Sequence, residues 1–290
     1  MPGEVISSAR STRITSARRL AKRAFRQQDR RFLAEGPQAV REAVAVPGGV
    51  VEVFATRDAA HRHPEIVSAA EGVGVLVHLV TPEVMAALSQ TVTPQGLVAV
   101  CPLLDRPLID LLSTSPRLVA VMTHARDPGN AGTVIRAADA AGADGVLFTG
   151  DSVDPYNSKC VRASAGSLFH LPICLGGRPG DDLPALQSAG LLVLAADGVA
   201  DLDLDEASDS GLLDGPTAWV FGNEAWGIPA EVRALADVVV KVPIHGRAES
   251  LNLATAAAVC LYASARAHRR RPSGGPESDR TTDRRPAFPG

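Results

Sequence analysis

The sequence predicts a two-domain α/β protein, and three observations support this expectation. The 290 residues are 46% hydrophobic, which is enough to fill two compact cores. Short strand-like apolar runs alternate with helix-like segments, as in mainly parallel sheets that are covered by helices. The apolar periodicity weakens over residues 105–116, where prolines accumulate, and this change predicts a linker between two domains.

Residues 13–104 are expected to form a small α/β domain after a flexible start at residues 1–12. RLAKRAFRQQDRRFLAEGPQAVREAVAV has a helical pattern with a break near Gly36 and Pro37. VVEVFAT, VGVLVHLV and LVAVC have the composition of short buried strands. TPEVMAALSQ predicts a helix that is capped by Thr81 and has Pro82 at its first position.

Residues 117–270 are expected to form a larger α/β domain with a mainly parallel sheet. Strands are predicted at RLVAVMT, GVLFTG, PICL, LLVLAAD, AWVFG and DVVVKVPI. The domain is expected to end in an apolar helix, LNLATAAAVCLYASARAHRR. Residues 271–290 are rich in Pro, Ser, Gly and charged side chains, a composition that predicts a disordered tail.

Composition excludes several classes of protein. No apolar run has the length of a membrane span, and the first residues have no secretory apolar core, so a cytoplasmic protein is expected. The four cysteines are scattered, with no CxxC pair and no histidine at zinc-ligand spacing. Buried reduced thiols are therefore expected, with neither a disulfide framework nor a metal site.

A basic segment near the start is a candidate RNA-binding surface, although the net charge of the chain is only -3. One acid, Asp29, opposes a run of basic side chains there. The segment is compatible with phosphate binding and equally with a solvated basic helix. The candidate RNA contacts in it are Arg18, Arg19, Lys22, Arg23, Arg26 and Arg30.

Three polar loops follow predicted strands, where parallel sheets bind ligands. The first is DPGN, with Asn130 placed to cap a helix that contains Arg136. The second is GNE at residues 222–224, and the third is SLN at residues 250–252, which opens the last helix. Each alone could be an ordinary turn or, at Ser250, an N-cap. Their order and separation are more informative than any one of them.

The segments DPGNAGTVIRAADAAGADGV, FGNEAWGIP and VPIHGRAESLNLATAAAVCLY together resemble the three motifs of the SpoU/TrmH family of RNA 2'-O-methyltransferases. The resemblance covers residues 117–268. RRFLAEGPQAVREAV more loosely resembles the N-terminal substrate-binding domain of many members, which is akin to ribosomal-protein-like RNA-binding folds.

The resemblance implies a deep trefoil knot in the C-terminal domain, an exception to the rule that chains do not thread through loops. It also implies S-adenosyl-L-methionine as cofactor without a metal, RNA as substrate, and a homodimer with the active site at the subunit interface. Arg136 corresponds to the family's essential arginine. Because arginine stays protonated, clamping the phosphate or positioning the hydroxyl is its simplest role, although the family commonly assigns it as the base.

The remaining roles also come from the resemblance. Asn130 is expected to orient Arg136 or the ribose, and Glu224 to hold the second loop or meet a cation. Ser250 and Asn252 are expected to shape the pocket. The expected cofactor contacts are Leu194, Ala195, Gly222, Asn223, Val242, Ile244 and Leu251, acting mostly through backbone groups and apolar packing.

Other expected contacts are less specific. Arg162 lies where the family places RNA-facing residues, but Ala165 stands where some relatives carry a second arginine. Trp226 is suited either to stack on a base or on adenine, or to cover the loop. His124 and His245 lie near the motifs, but the family pattern requires neither.

Several alternatives concern the substrate and the class of protein. Because the shorter tRNA-modifying members of the family often lack an N-terminal domain, the resemblance favours 23S ribosomal RNA over transfer RNA or a drug-binding site protected by methylation. A non-catalytic RNA-binding protein would not need all five polar residues of the motifs, which are Asn130, Arg136, Glu224, Ser250 and Asn252. A nicotinamide or nucleotide enzyme would require a phosphate loop such as GxGxxG after a strand, which the sequence lacks.

Overall fold

A computed structural model describes residues 5–270, and the predicted tail at residues 271–290 lies outside them. Two sheets organise the chain. The N-terminal sheet has the order β1-β4-β2-β3, with β4 antiparallel to β1 and β2, and with β2 parallel to β3. Its elements are α1 (Thr12–Arg19), α2 (Arg23–Asp29), β1 (Arg31–Glu35), α3 (Pro37–Ala45), β2 (Glu52–Thr56), α4 (Arg57–Arg62), α5 (Pro64–Gly72), β3 (Leu76–Val80), α6 (Pro82–Leu88) and β4 (Leu97–Pro102).

The second sheet has six strands in the order β10-β8-β9-β5-β6-β7, and every neighbouring pair is parallel. The mainly parallel sheet expected for this part of the chain is therefore confirmed. Its elements are α7 (Leu108–Leu112), β5 (Leu118–Thr123), α8 (Pro128–Ala141), β6 (Gly145–Thr149), α9 (Ser158–Ala163), a 3-10 turn (Ser167–Phe169), β7 (Ile173–Leu175), α10 (Pro179–Ser188), β8 (Leu192–Ala196), α11 (Leu204–Asp209), β9 (Thr217–Phe221), α12 (Ala230–Arg233), β10 (Val238–Val240) and α13 (Leu253–Arg269).

One element of the N-terminal part differs from its prediction. The segment at residues 31–35 was expected to continue a helix, but it forms β1. Arg30 ends α2 in the left-handed region with φ 52°, and Phe32 then pairs with Cys101 of β4. A short apolar run does not distinguish a strand from a buried helix segment, so the partner strand decides its structure. The cap of α6 at Thr81 is confirmed, because its side chain accepts a hydrogen bond from the Val84 N–H.

The two sheets are joined by an apolar contact. Phe32 of β1 is fully buried, and its ring centroid lies 4.8 Å from that of Tyr156 and 6.0 Å from that of Phe169. Both partners follow strand β6 of the second sheet. Aromatic pairs at these separations stabilise packing beyond simple burial, so the two halves share one hydrophobic core.

The last helix, α13, is anchored to the middle of the parallel sheet. Ser264 of α13 is buried and accepts a 2.8 Å hydrogen bond from Nε1 of Trp219 and a 3.0 Å bond from the hydroxyl of Thr217. Buried polar groups are stable only when they are paired, so these bonds fix the helix against β9. The anchoring places the start of α13 near the carboxyl end of the sheet.

The parallel sheet brings the predicted motifs together. The carboxyl ends of parallel strands lie along one edge, and β5 and β9 are neighbours with Met122 opposite Phe221. The loops that follow these two strands are the first and second motifs. The third motif lies between β10 and α13.

Candidate active site at the carboxyl edge of the parallel sheet

The first loop is held by Asp127, which caps α8. Its side chain accepts a 2.8 Å hydrogen bond from the Asn130 N–H, and Pro128 occupies the first helical position. The prediction that Asn130 caps this helix is therefore wrong, since an Asp–Pro pair at the helix start satisfies the same requirement three residues earlier. Lys159 donates a 2.7 Å bond to the same carboxylate. The hydrogen bond from Lys159 is the main cause of a lowered pKa at Asp127, and the bond from the Asn130 N–H is the second cause.

The side chain of Asn130 connects all three loops. Its amide nitrogen donates to Glu224 at 3.3 Å, and its oxygen accepts from the side-chain nitrogen of Asn252 at 3.1 Å. An amide can donate and accept at once, so one residue joins the second and third motifs to the first. Asn130 was expected to orient Arg136 or the ribose, but within the chain it orients Glu224 and Asn252.

Glu224 holds the first loop. Its carboxylate accepts the backbone N–H groups of Arg126 at 3.3 Å and of Asp127 at 3.2 Å, in addition to the Asn130 amide. Glu224 was expected to hold the second loop, but Asn223 holds that loop instead. The expected cationic partner is absent among residues 5–270, where Glu224 forms no ion pair.

The second loop is a tight turn. Asn223 is only 5% exposed, and its side chain donates to the carbonyl of His124 at 2.9 Å and accepts from the Ala225 N–H at 2.8 Å. A Cβ on Gly222 would lie 2.3 Å from the Gly227 carbonyl oxygen. Only glycine permits this close backbone approach, which brings the backbone of the loop to the end of β9.

A shallow cleft of about 460 Å³ opens over these groups. Asn130, Asn223 and Glu224 form its polar wall, and Trp226, 59% exposed, forms an apolar one. An exposed tryptophan beside polar groups is suited to stack on a planar ring. The cleft therefore has the chemistry to receive a nucleoside.

The expected cofactor residues lie along the same edge. Leu194 and Ala195 are fully buried in β8, which pairs with β10 on one side and β9 on the other. Val242 is partly buried, whereas Ile244 and Leu251 are 38% and 36% exposed. The exposed large hydrophobic residues of the loops after β8, β9 and β10 are Val199, Trp226, Ile244 and Leu251.

Two predicted catalytic residues do not join the Asn130 cluster. Arg136 is exposed on α8, six residues beyond Asn130, a spacing that places it roughly 9 Å further along the helix and on another face. Ser250 is also exposed, and it forms no side-chain hydrogen bond within residues 5–270. Asn252, rather than Ser250, is the N-cap of α13, accepting the Ala254 N–H at 2.9 Å.

The predicted RNA contacts other than Arg26 separate into three groups. Arg18, Lys22 and Arg23 are exposed and have no carboxylate partner within the described residues. Arg19 pairs with Asp29 at 2.6 Å and Arg30 with Asp105 at 2.9 Å, and both remain on the surface. Arg162 is partly buried and lies 3.5 Å from Glu35 of β1.

Arg26 is the exception among these basic residues. Its side chain is buried, bonds to the carbonyls of Leu20 and Ala21, and pairs with Asp154 at 2.6 Å. All of these bonds use its guanidinium donors, so the geometry argues against the RNA contact predicted for Arg26. It joins α2 to the loop after β6.

Two residues of the site, Asp127 and Lys159, were not among the predicted site residues. Asp127 was recognisable, because Asp before Pro at the start of a helix is a strong capping signal. No local pattern identifies Lys159, whose contact with Asp127 spans 32 positions. Within residues 5–270, no cluster of metal-ligating side chains is present and no helix is long and apolar enough to cross a membrane. All four cysteines are buried and unpaired, which confirms the expected buried thiols.

Comparison with known proteins identifies the family. Residues 117–262 match the SpoU rRNA Methylase family, and residues 11–99 match the MRM3-like substrate binding domain. A 23S rRNA (guanosine(2553)-2'-O)-methyltransferase from Bacillus subtilis is 31% identical over 89% of this chain and 97% of its own.

Two solved structures are similar over nearly the whole chain. An AdoMet-bound rRNA methyltransferase from Sinorhizobium meliloti has a TM-score of 0.78 at 28% identity, covering 91% of this chain and 97% of its own. The SpoU methyltransferase AviRb from Streptomyces viridochromogenes, in complex with AdoMet, has a TM-score of 0.76 at 29% identity, covering 88% and 98%. With the three loops assembled around Asn130 and these matches along its length, the chain belongs to the SpoU rRNA methylase family.

Proposed function

We propose that this protein transfers a methyl group from S-adenosyl-L-methionine to the 2'-hydroxyl of a ribose in 23S ribosomal RNA. The observation that carries the proposal is the meeting of three loops at Asn130, which bonds to Glu224 and Asn252. Membership of the family supports the reaction class. The B. subtilis relative, named for 23S rRNA, supports the substrate class.

The residues at the carboxyl edge fit the cofactor. Residues 241–252 must pass from β10 across the ends of β8 and β9, because Asn252 contacts Asn130 beyond β5. This crossing segment carries the exposed side chains of Ile244 and Leu251. Apolar side chains at the carboxyl ends of parallel strands are suited to pack against an adenosine. We assign Leu194, Ala195, Gly222, Asn223, Val242, Ile244 and Leu251 to this pocket.

The bound cofactor supplies an electrophilic methyl group on a sulfonium. The protein must hold the ribose in line with it, because correct alignment of two reacting groups removes a large entropic part of the barrier. Asn130 and Glu224 form the rigid polar wall against which the ribose lies. Arg136 stays protonated, so we assign it to hold the phosphate beside the target ribose and to position the hydroxyl.

We further propose a homodimer in which Arg136 completes the partner's site. The exposed face of α8 contains Thr133, Arg136 and Ala140 at helical spacing. Next to it on α13, Val259 and Tyr262 are 40% and 51% exposed, and the Tyr262 hydroxyl bonds to the Ala140 carbonyl at 3.2 Å. This combined face offers apolar side chains to a second copy and presents Arg136 beside them.

The crossing segment also supports the knot. It leaves β10 at one end of the sheet and returns to Asn130 near the centre, over the ends of strands that were formed earlier in the chain. We propose that residues 241–252 and α13 form the deep trefoil knot.

We propose the domain limits as residues 13–104 for an RNA-binding domain, 105–116 for the linker and 117–270 for the methyltransferase domain. The N-terminal match to a substrate binding domain supports the first assignment. The linker is not without structure, because it contains helix α7.

Transfer of tritiated methyl from S-adenosyl-L-methionine tests the function. Purified protein is incubated separately with undermethylated 23S rRNA and with total transfer RNA, and the RNA is digested to nucleosides. We expect label in 23S rRNA as a 2'-O-methyl nucleoside. Label confined to transfer RNA would show that the substrate is transfer RNA and not 23S rRNA. Absence of label with measurable RNA binding would favour a non-catalytic RNA-binding protein.

A further inference from the structure

A second polar cleft, of about 440 Å³, lies where the two sheets meet. We call it the seam cleft. Its lining includes Arg23 of α2, Arg126 of the loop after β5, and Asp151 and Asn157 of the loop after β6. Arg126 also lines the cleft over Asn130, so the two clefts share a wall. A strand that fills one therefore has a direct path into the other.

Two bonds fix the walls of the seam cleft. The ion pair of Arg26 and Asp154 holds α2 against the loop after β6, at 2.6 Å with both side chains nearly buried. The Val153 N–H donates to the Ala125 carbonyl at 2.8 Å, which joins that loop to the residue before Arg126. The cleft is therefore formed before any ligand binds, and little ordering cost remains.

The charges that face the cleft are unequal. Asp154 is already paired with Arg26, so it offers no free charge. Arg23 and Arg126 are exposed, and neither guanidinium pairs with a carboxylate of residues 5–270. One exposed carboxylate, Asp151, opposes them. The cleft thus offers two free cations and one strong hydrogen-bond acceptor.

We propose that the seam cleft binds the RNA strand next to the target nucleotide, with Arg23 and Arg126 on backbone phosphates. Asp151 accepts a hydrogen bond from a ribose 2'-hydroxyl or a base amino group. RNA supplies both anionic phosphates and such donors, whereas a free phosphate would meet repulsion from Asp151. The proposal deepens the proposed function and rests on it, since it places substrate RNA between the N-terminal helices and the methyl-transfer site.

Salt-dependent RNA binding by arginine variants tests the proposal. The variants are Arg23→Gln, Arg126→Gln and their combination, and the matched control is Arg57→Gln. Arg57 is also exposed and unpaired within the described residues, but it lines a different cavity. Affinity for a fluorescent 23S rRNA transcript is measured across a KCl series. Each lost phosphate contact should flatten the slope of log affinity against log salt by about 0.7.

The control decides whether the cleft or the net charge is responsible. Unchanged slopes in the double variant, or an equal loss in Arg57→Gln, would overturn the proposal. If the variants lose affinity although the wild type methylates no RNA, the cleft stands and the proposed function fails. If the wild type methylates RNA and the double variant binds RNA with the same affinity and salt dependence as the wild type, only the proposal for the seam cleft is wrong. Absence of any RNA binding by the wild type would overturn both.

Photo-crosslinking provides a second test that does not depend on affinity. The native cysteines are all buried, and burial raises their pKa, to about 11 at Cys174 and about 12 at Cys260. Asp151→Cys therefore provides a selectively reactive thiol for a photoactivatable maleimide. Val92→Cys, at a fully exposed position, is the control. We expect cross-links from position 151 close to the methylated nucleotide, and yields no higher than those at position 92 would contradict the proposal.

Discussion

A hydrogen bond of 3.1 Å joins the side chains of Asn252 and Asn130 across 122 positions of sequence. Asn252 caps α13, and Asn130 lies in the first turn of α8, so the bond connects the N-termini of the two helices. Glu224 extends the connection to the second loop. The alignment of the site therefore depends on a short chain of amide and carboxylate groups.

Asn252 has two functions that substitution can separate. Asn252→Ala removes both the helix cap and the bond to Asn130, and should cost about 1 kcal/mol of stability. Asn252→Asp keeps the cap but cannot donate to the Asn130 oxygen. Because small misplacements of reacting groups cost up to roughly 100-fold in rate, we expect methyl transfer by Asn252→Asp to fall about 10- to 100-fold. Single-turnover methylation and thermal denaturation measure the two effects, and full activity in Asn252→Asp would show that the bond is dispensable.

Arg26 should contribute to stability rather than to RNA affinity. Its ion pair with Asp154 is nearly buried, with 5% and 12% of the side chains exposed. Arg26→Met leaves Asp154 without its partner and should cost about 3 to 5 kcal/mol, the usual result of breaking a buried pair. Combining it with Asp154→Leu should recover much of this loss, because no uncompensated charge remains. Chemical denaturation of the single and double variants measures the difference.

The salt dependence of RNA binding tests whether Arg26 also contacts RNA. Arg26→Met alone would leave the charge of Asp154 unpaired in the seam cleft, so the double variant Arg26→Met/Asp154→Leu is the one compared. At a temperature where the double variant is folded, its slope of log RNA affinity against log salt should equal that of the wild type. A flatter slope would show that Arg26 contacts RNA after all.

His170 should make the contact between the two sheets dependent on pH. Its Nδ1 lies 2.8 Å from Asp139 of α8, and its Nε2 lies 3.2 Å from Glu42 of α3. The hydrogen bond to Asp139 is the main cause of a raised pKa at His170, and Glu42 adds to it against partial burial. The folded pKa thus lies above the unfolded value of about 6.5. The stabilisation is fully present below that value and is lost as pH rises through the folded pKa.

Comparison with His170→Gln isolates this effect. His78 and His268 have lowered pKa values, mainly through burial, and they act in the opposite direction. The informative quantity is therefore the difference in unfolding free energy between wild type and variant at each pH. We expect the difference to be larger at pH about 5.5 than at about 8.5. An equal difference at both values would contradict a charged clamp at His170.

The parts of the fold that the sequence predicts correctly are those determined locally. The parallel strands and the cap at Thr81 follow from apolar runs and from capping residues. The strand at residues 31–35 does not, because its pairing with β4 depends on residues about 70 positions away. Neither does the burial of Arg26, whose partner is 128 positions distant. Charge patterns alone do not distinguish such a residue from a surface cation.

The site shows the same division. The motifs identify Asn130, Glu224 and Asn252 as a group, but their hydrogen-bond partners become visible only in three dimensions. The position of Arg136 is the clearest instance. Helix geometry alone places it on a different face from Asn130, so the role proposed for Arg136 depends on a contact outside the Asn130 cluster.

Complementation between two inactive variants tests whether Arg136 acts in the partner's site. Arg136→Ala and Asn130→Ala should each reduce methyl transfer at least 100-fold while leaving dimers intact. If the two residues of one site come from different copies, a mixed dimer contains one site with both residues and one site with neither. Equal mixing with random reassociation should then restore about a quarter of wild-type activity, since half of the dimers are mixed.

The same mixture gives a different result if each chain uses its own Arg136. Every site would then lack one of the two residues, and mixing would restore no activity. Size-exclusion chromatography and exchange of differently tagged copies establish that mixed dimers form. A dimeric, exchanging mixture that remains inactive would therefore place Arg136 and Asn130 in the same copy, which would require α8 to rearrange when RNA binds, since the helix separates the two side chains by roughly 9 Å along its axis.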